Sequence, residues 1–456
     1  MCGVAGIFGH SNSKGIIQVL YNSMSHRGGA GGGIVWQDNN SNHLLHIAKG
    51  KCSEKIFTSD FLNSDCIGCA VHLRWPTSGA DSKVNLQPHY KEDPSFRIAV
   101  LSNGDIRNMT EQVKFLEANN IRIISQNDAE MICGSIYWQL IKGKKRNDMV
   151  YAIRKTMSHL NGAYSAILFS STEKAMYAFR DPLGIRPLVL GILDGRYIVC
   201  SETIQLQAVG ANFIREINPG EIVKISDQGL ESFQGQNSQR KAFCSFEHLY
   251  FSHPFSWFLD SSGNQVSYEQ IRKELGEVLA KEFAHLKADF VMSVPQSGIP
   301  ATIGFSHASN IPYEQPIQTR KGRTFIENDL TQRIKTAEYK YLLNATFLKG
   351  KRVIIVDDSA IRMLTVTKLV EQLRNAGVRE IHFLSAAPRY LYPCYYGSDT
   401  KDVWSLGASD KSLEGLRRAV GSPDTFAFIS LSGFKGVIQK YFPESCFACF
   451  DEDYPC

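Results

Sequence analysis

Cys2 carries a thiol at the second position of a chain that opens Met1-Cys2-Gly3-Val4-Ala5-Gly6-Ile7-Phe8. Removal of Met1 would leave one residue with both a thiol and a free α-amine. An α-amine titrates near pKa ~8 and a thiol near ~8.5, so the amine can take the thiol's proton at neutral pH. Nucleophile and base would then sit in a single residue. A small second residue also merely permits methionine removal, so Cys2 needs the rest of an amide-hydrolysing site to carry meaning. Four later groups supply it. His26-Arg27-Gly28 follows a helical stretch, and Arg74, within His72-Leu73-Arg74-Trp75-Pro76-Thr77, offers a guanidinium that can clamp an α-carboxylate at two points. Ser102-Asn103-Gly104 offers a side-chain amide and a glycine N–H, the two donors an oxyanion hole requires. Asp128 could receive a substrate ammonium. Singly these are a surface arginine, an Asn-Gly turn and a helix cap; behind an N-terminal cysteine they form a set.

These groups need positioning elements, and the sequence supplies two kinds. In the first half, residues 98–101, 163–169 and 197–200 are short β-rich runs between turn residues. Residues 128–140 repeat Ile132, Ile136 and Leu140 at helical spacing. A polar stretch over residues 226–241 marks the junction. In the second half, residues 289–294 and 352–356 are continuous apolar runs that each end in a polar loop. Residues 366–376 then have helical spacing and stop at Gly377, and residues 380–386 form another strand. Strand, loop, helix and strand imply a buried parallel sheet, whose ligands sit at the carboxyl ends of its strands. The loops at residues 295–300 and 357–365 are the ones so placed.

At 456 residues the chain is long enough for two domains. Its composition, 43% hydrophobic and 21% charged, is that of a globular protein, and a net charge of +5 gives no nucleic-acid stripe. No apolar run reaches membrane-spanning length and no signal segment precedes Cys2, so a cytoplasmic protein with no membrane partner is expected. Its eleven cysteines are then metal ligands, nucleophiles or core residues rather than disulfides.

Residues 180–189 (Arg-Asp-Pro-Leu-Gly-Ile-Arg-Pro-Leu-Val), Ser201-Glu202-Thr203, Cys244-Ser245-Phe246-Glu247-His248, Gly322-Arg323-Thr324-Phe325-Ile326 and Val356-Asp357-Asp358-Ser359 narrow the reading. With the N-terminal set they resemble the glutamine phosphoribosylpyrophosphate (PRPP) amidotransferase family, from Met1 to about Tyr454. The resemblance implies an α+β N-terminal nucleophile (α-β-β-α) glutaminase domain over residues 2–235. An α/β type I phosphoribosyltransferase-like domain over residues 236–456 would follow. It makes Cys2 the nucleophile, Asn103 and Gly104 the oxyanion donors, and Arg74, Thr77 and Asp128 the glutamine-binding residues. Ammonia would pass to PRPP, with Mg²⁺, at Asp357, Asp358, Ser359, Arg362, Thr365, Ser297 and Arg323, yielding 5-phosphoribosylamine; residues 321–326 would close over that site. The family's clustered members place iron–sulfur ligands at positions matching Cys244, Cys394, Cys446 and Cys449; four thiolates suit a [4Fe–4S] cluster or, by chemistry alone, zinc. A homo-oligomer is also implied.

The chain departs from the family pattern in places. Gly29-Ala30-Gly31-Gly32-Gly33 replaces Gln-Asp-Ser-Ala-Gly, and a glycine run of this kind should loosen its loop. Ser102 stands for His, and Trp75-Pro76 for Tyr-Ser. In the phosphate loop Met363-Leu364 replaces Gly-Thr, and Gln296 replaces Asp in Pro295-Gln296-Ser297-Gly298. Losing a hydrogen bond to a charged group costs roughly 1.5–3 kcal/mol. These changes open a second reading, a divergent paralogue that keeps glutamine hydrolysis and aminates another acceptor.

Overall fold

The computed structural model describes residues 1–39, 45–50, 53–75, 82–94, 96–145, 147–238, 240–319, 341–401, 406–407 and 411–455. The chain forms two compact units: Met1–Cys244 with Cys394–Asp399, and Ser245–Pro393 with Thr400–Tyr454.

The first unit is built on β1 (Gly3–Phe8), β2 (Gly31–Asp38), β3 (Leu45–Gly50), β4 (Cys66–Arg74), β5 (His89–Asp93), β6 (Phe96–Ile106), β7 (Gly162–Ser170), β8 (Ala175–Arg180), β9 (Val189–Leu193), β10 (Arg196–Cys200), β11 (Asn212–Glu216), β12 (Glu221–Ser226) and β13 (Gly229–Gln234). Seven strands form one sheet in the order β11-β9-β10-β1-β4-β2-β3, and six form the other in the order β13-β12-β8-β7-β6-β5. Alternation sorts their side chains between faces. Val4, Phe8, Val35 and Ala70 of the first sheet share one buried cluster with Ala99, Leu101, Ile167 and Phe169 of the second. The opposite face of the first sheet packs Ala5, Ile7 and Val71 on Ile16, Ile17 and Leu20 of the helix Ser13–Ser23. The opposite face of the second packs Ile98 and Val100 on Ile132 and Ile136 of the helix Asp128–Lys142. The layers are therefore α-β-β-α, as the resemblance implied.

Two local expectations give way. Gly31, Gly32 and Gly33 are not a loosened loop but buried residues of β2. A Cβ on Gly32 would stand 2.3 Å from the His72 carbonyl oxygen, and one on Gly33 would stand 2.2 Å from that of Gln87. Close backbone approach, rather than mobility, is what these glycines provide. The polar stretch from 226 to 241 contains β13, which pairs only with β12 and lies at the sheet's edge. An edge strand with an exposed face needs no apolar run.

In the second unit, Phe290–Ser293, Arg352–Asp357, Glu380–Ser385 and Thr425–Phe428 make a four-stranded sheet in that order, all pairs parallel. Met292, Ile355 and Phe383 share a core with Val366, Leu369, Val370 and Leu373 of the helix Leu364–Asn375. The helices Tyr268–Glu282 and Ile299–Ser309 cross closely at two glycines, where a Cβ on Gly276 or Gly304 would meet a carbonyl oxygen at 1.9 Å.

Gly33→Ala should destabilise the protein by about 3 kcal/mol, because backbone rather than a pliable side chain opposes the added methyl. Urea unfolding measures this; an unchanged midpoint would contradict the packing described.

Candidate active site

Cys2 leads into β1 and is buried; its thiol donates to the Trp75 carbonyl at 3.5 Å. Its own carbonyl accepts from Arg27 Nε at 3.0 Å. Arg27 also donates through Nη1 to Glu202 Oε1, and His26 Nε2 lies 2.8 Å from the same oxygen. Arg27 and Glu202 are 1% and 3% exposed, so the charges need each other. Glu202 is fixed in turn. Its backbone N–H donates to Gln205 Oε1 at 2.7 Å at the start of the helix Thr203–Ala208. The preceding Ser201 Oγ accepts from Val4 N at 3.0 Å, one strand over from β10. Burial pushes the Cys2 thiol up, opposed by the positive charge of the nearby amino terminus. A resting neutral thiol of this kind needs an adjacent base to react.

Asn103 and Gly104 lie in β6, opposite Ser165 and Tyr164 of β7. A Cβ on Gly104 would stand 1.9 Å from the Ala163 carbonyl oxygen, so only glycine fits. Asn103 is 1% exposed, and neither its Nδ2 nor its Oδ1 has a hydrogen-bond partner among the described residues. An unmatched buried amide costs free energy; it is the state expected of a donor held ready for a ligand. Gln87 ties this strand to the next element. Ser102 N donates to Gln87 Oε1 at 2.6 Å, and Gln87 Nε2 donates to Asn127 Oδ1 at 3.2 Å. Asn127 caps the helix Asp128–Lys142 by accepting from Ala129 N at 2.9 Å. Asp128 therefore opens that helix from a buried position.

Arg74 ends β4 and is buried, and its carbonyl accepts from Gly29 N and Ala30 N, both at 3.2 Å. The Cys2 thiol feels Asp128, which raises its pKa, and Arg74, which lowers it. The structure thus gathers Cys2, Arg74 and Asp128. Thr77 lies outside the described residues. Sequence reasoning did not give Arg27, Glu202 and Gln87 roles; only the position of Arg27 and Glu202 in recognisable motifs signalled them. His72 was likewise unassigned. It is fully buried, and burial, followed by the Arg74 charge, lowers its pKa to about 3.

In the second unit Asp357 ends its strand and Asp358 follows, both buried. Asp358 N donates to Asp357 Oδ1 at 2.9 Å, and Ser359 Oγ donates to Asp358 Oδ2 at 2.7 Å. The loop bearing Ser297 lies beside them. A Cβ on Gly298 would stand 2.6 Å from the Val356 carbonyl oxygen, and Thr302 Oγ1 holds the Gly298 carbonyl at 2.8 Å. Two loops thus meet at the carboxyl ends of adjacent parallel strands. Arg362 is exposed and Thr365 half-buried. Met363 takes φ +63°, the left-handed backbone that glycine adopts freely, at a cost of about 1–2 kcal/mol for another residue. Its side chain packs against Gly407, while Leu364 is 69% exposed. Tyr250 and Tyr341, not singled out in the sequence, also face this acid pair; burial and the charges of Asp357 and Asp358 push both phenols up. Arg323 and residues 321–326 lie outside the described residues.

The four thiols of the expected cluster are divided between the units: Cys244 and Cys394 in the first, Cys446 and Cys449 in the second. Among the described residues no three His, Cys, Asp or Glu side chains group as metal ligands. Four thiolates are donors that suit such a cluster in kind. Cys394 Sγ accepts from Tyr396 N at 3.4 Å. No described helix is long and apolar enough to cross a membrane.

Residues 72–208 match the model of a glutamine amidotransferase domain. An amidophosphoribosyltransferase of Bacillus subtilis (strain 168) is 34% identical over 461 residues, covering 100% of this chain and 94% of its own length. One from Synechococcus elongatus is 35% identical over 465 residues, covering 100% of this chain and 91% of its own. The solved glutamine PRPP amidotransferase from B. subtilis, complexed with ADP and GMP, superposes with a TM-score of 0.88 at 33% identity, over 100% of this chain and 97% of that one.

His72 gives the fold an acid-sensitive element. Its pKa is about 3 when folded and near 6.5 when unfolded, so the unfolded chain alone takes up its proton between those values. Its contribution is complete above pH 6.5 and falls as pH drops, by about 2 kcal/mol at pH 5. Urea unfolding at pH 8 and pH 5 should show this loss, and His72→Gln should reduce the difference between the two pH values by that amount. An equal difference in variant and parent would contradict the assignment.

Proposed function

The chain belongs to the amidophosphoribosyltransferase family, and from that membership we propose that it hydrolyses glutamine at Cys2 and transfers the ammonia to PRPP, forming 5-phosphoribosylamine. The observation that carries the glutaminase half is the buried Asn103 amide beside Gly104, without a hydrogen-bond partner among the described residues, in the unit that also buries Cys2, Arg74 and Asp128. Residues 2–235 are assigned to this half and 236–456 to the other, except that residues 236–244 and Cys394–Asp399 fold with the first unit.

The reaction follows from these groups. With Met1 removed, the Cys2 amine takes the thiol proton and Sγ attacks the glutamine carboxamide carbon. Asn103 Nδ2 and the Gly104 N–H donate to the oxyanion that forms, the interaction that contributes most to such catalysis. Collapse of the intermediate, with the proton passed to the leaving nitrogen, expels ammonia and leaves a thioester on Cys2. Water then hydrolyses the thioester to glutamate. Arg74 and Thr77 hold the substrate α-carboxylate and Asp128 its ammonium. The released ammonia attacks the anomeric carbon of PRPP as pyrophosphate departs. Asp357 and Asp358 take the ribose hydroxyls. Ser359, Arg362 and Thr365 cradle the 5-phosphate with the N-terminus of the helix Leu364–Asn375. Ser297 and Arg323 meet the pyrophosphate, whose charge Mg²⁺ would neutralise when bound.

The alternative acceptor rests on Met363, Leu364 and Gln296, and the comparisons give it no support: the relatives match the whole chain and carry the same name. Met363 reproduces a glycine-like turn, and Leu364 turns outward. We also assign a structural [4Fe–4S] cluster to Cys244, Cys394, Cys446 and Cys449 on their donor chemistry and the family resemblance, with no step of the reaction passing through it. Membership further supports a cytoplasmic homo-oligomer with small-molecule substrates.

Cys2→Ala should abolish glutamine-dependent ammonia release while leaving phosphoribosylamine formation from PRPP and free ammonium intact. Persistent release would remove Cys2 as nucleophile, and loss of both reactions would show a wider structural effect. Iron and acid-labile sulfide should each reach about four per chain in anaerobically purified protein. Zinc in place of both would reassign the thiols.

A further inference from the structure

The segment Cys394–Asp399 comes from the second half of the chain, yet it folds as part of the first unit. There it meets the residues beside the oxyanion donors. Arg186 is fully buried, and its Nε and Nη2 both donate to the Tyr396 carbonyl, at 2.9 and 2.6 Å. The Arg186 carbonyl accepts from Ser165 Oγ at 3.0 Å, and Ser165 faces Asn103 across the β6–β7 ladder. Arg186 is thus held to the ladder at its backbone and to the segment at its guanidinium. The next residue, Gly397, has φ +110°. A Cβ there would stand 3.0 Å from Arg186 Nη2 and 3.2 Å from the Gly104 carbonyl carbon. Arg107, just past the end of β6, donates through Nη1 to the Tyr396 hydroxyl at 3.2 Å. Its guanidinium also lies over the Tyr395 and Tyr396 rings, at 5.6 and 5.7 Å from their centroids. The segment is therefore fastened at both sides of Gly104 and touches it in the middle.

We propose that Cys394–Asp399 is a strap that fixes the oxyanion donors, with Arg186 as a positioning residue for glutamine hydrolysis. This rests on the assignment of Asn103 and Gly104 as those donors. The physical demand is strict, because donors aimed at a developing oxyanion act only within a few tenths of an ångström of the right place. Glutamine itself is gripped elsewhere, by Arg74 and Asp128. Disturbing the strap should therefore slow turnover and leave substrate affinity alone.

The test is steady-state glutamine hydrolysis by full-length Gly397→Ala, Arg186→Gln and Arg186→Lys, with PRPP amination by free ammonium measured alongside. Removing one oxyanion donor outright lowers kcat by about 10²–10³, so a displaced donor should cost about tenfold or more. We expect that loss in Gly397→Ala and Arg186→Gln, with KM for glutamine within about threefold and ammonium-dependent amination unchanged. Arg186→Lys keeps a charged donor and should recover part of the loss. Should Arg186→Gln fail to fold, the other two variants still decide. Parental kcat in Gly397→Ala and Arg186→Lys would overturn the strap, as would a raised KM at constant kcat. A parent protein that releases no ammonia from glutamine would instead overturn the underlying assignment, and the strap with it.

Discussion

The buried ion pair between Arg27 and Glu202 is the constraint on which the first unit's chemistry depends. A guanidinium and a carboxylate lie together beneath the surface, and Arg27 donates through Nε to the Cys2 carbonyl. Removing one partner of such a pair strands a charge, at about 3–5 kcal/mol. The pair therefore stays closed, and the chain end it holds cannot fray as termini ordinarily do. That matters because a nucleophile at a terminus is covalently anchored on one side only. Glu202 is in turn held by Gln205, and its neighbour Ser201 is bonded to Val4, so the carboxylate, the strand and Cys2 share one frame.

The opposite wall is built on a different principle. Gln87 links Ser102, which precedes the proposed oxyanion donors Asn103 and Gly104, to Asn127, which caps the helix opened by Asp128. One amide thereby sets the spacing between the groups that would meet the reacting carbonyl and the one that would meet the substrate ammonium. On the proposed assignment, the groups for both ends of the glutamine are tied together by hydrogen bonds in the same buried layer. The glycines of β2 serve this frame by allowing backbones to approach where a methyl group could not fit.

Much of this was legible in the sequence where the signal is local. The helix at Asp128 announces itself by spacing, β6 by its apolar run, and the second unit's sheet by strands that end at Ser293 and Asp357. Cys2, Asn103, Gly104 and Asp128 stood out in the sequence because the chemistry proposed for them limits which residue types can serve, and the structure places all four in the first unit. What was not legible is pairing across distance. Arg27 and Glu202 lie 175 residues apart, and Arg186 and Tyr396 lie 210 apart, with no periodicity to connect them. The glycine run misled for the same reason: its meaning lies in the carbonyls of His72 and Gln87, which the local sequence does not display. In the phosphate loop, composition overstated the change at Met363. The backbone keeps a glycine-like turn there, and the side chain packs against Gly407 instead of intruding.

The claim beneath all of this is that the mature chain begins at Cys2 and that this residue carries the acyl group. Intact-protein mass spectrometry, before and after treatment with an electrophilic glutamine analogue, tests it most directly. The expected result is a mass lacking Met1 and a single adduct that maps to Cys2. A protein that keeps Met1 while releasing ammonia from glutamine, or that carries the adduct on another residue, would contradict it.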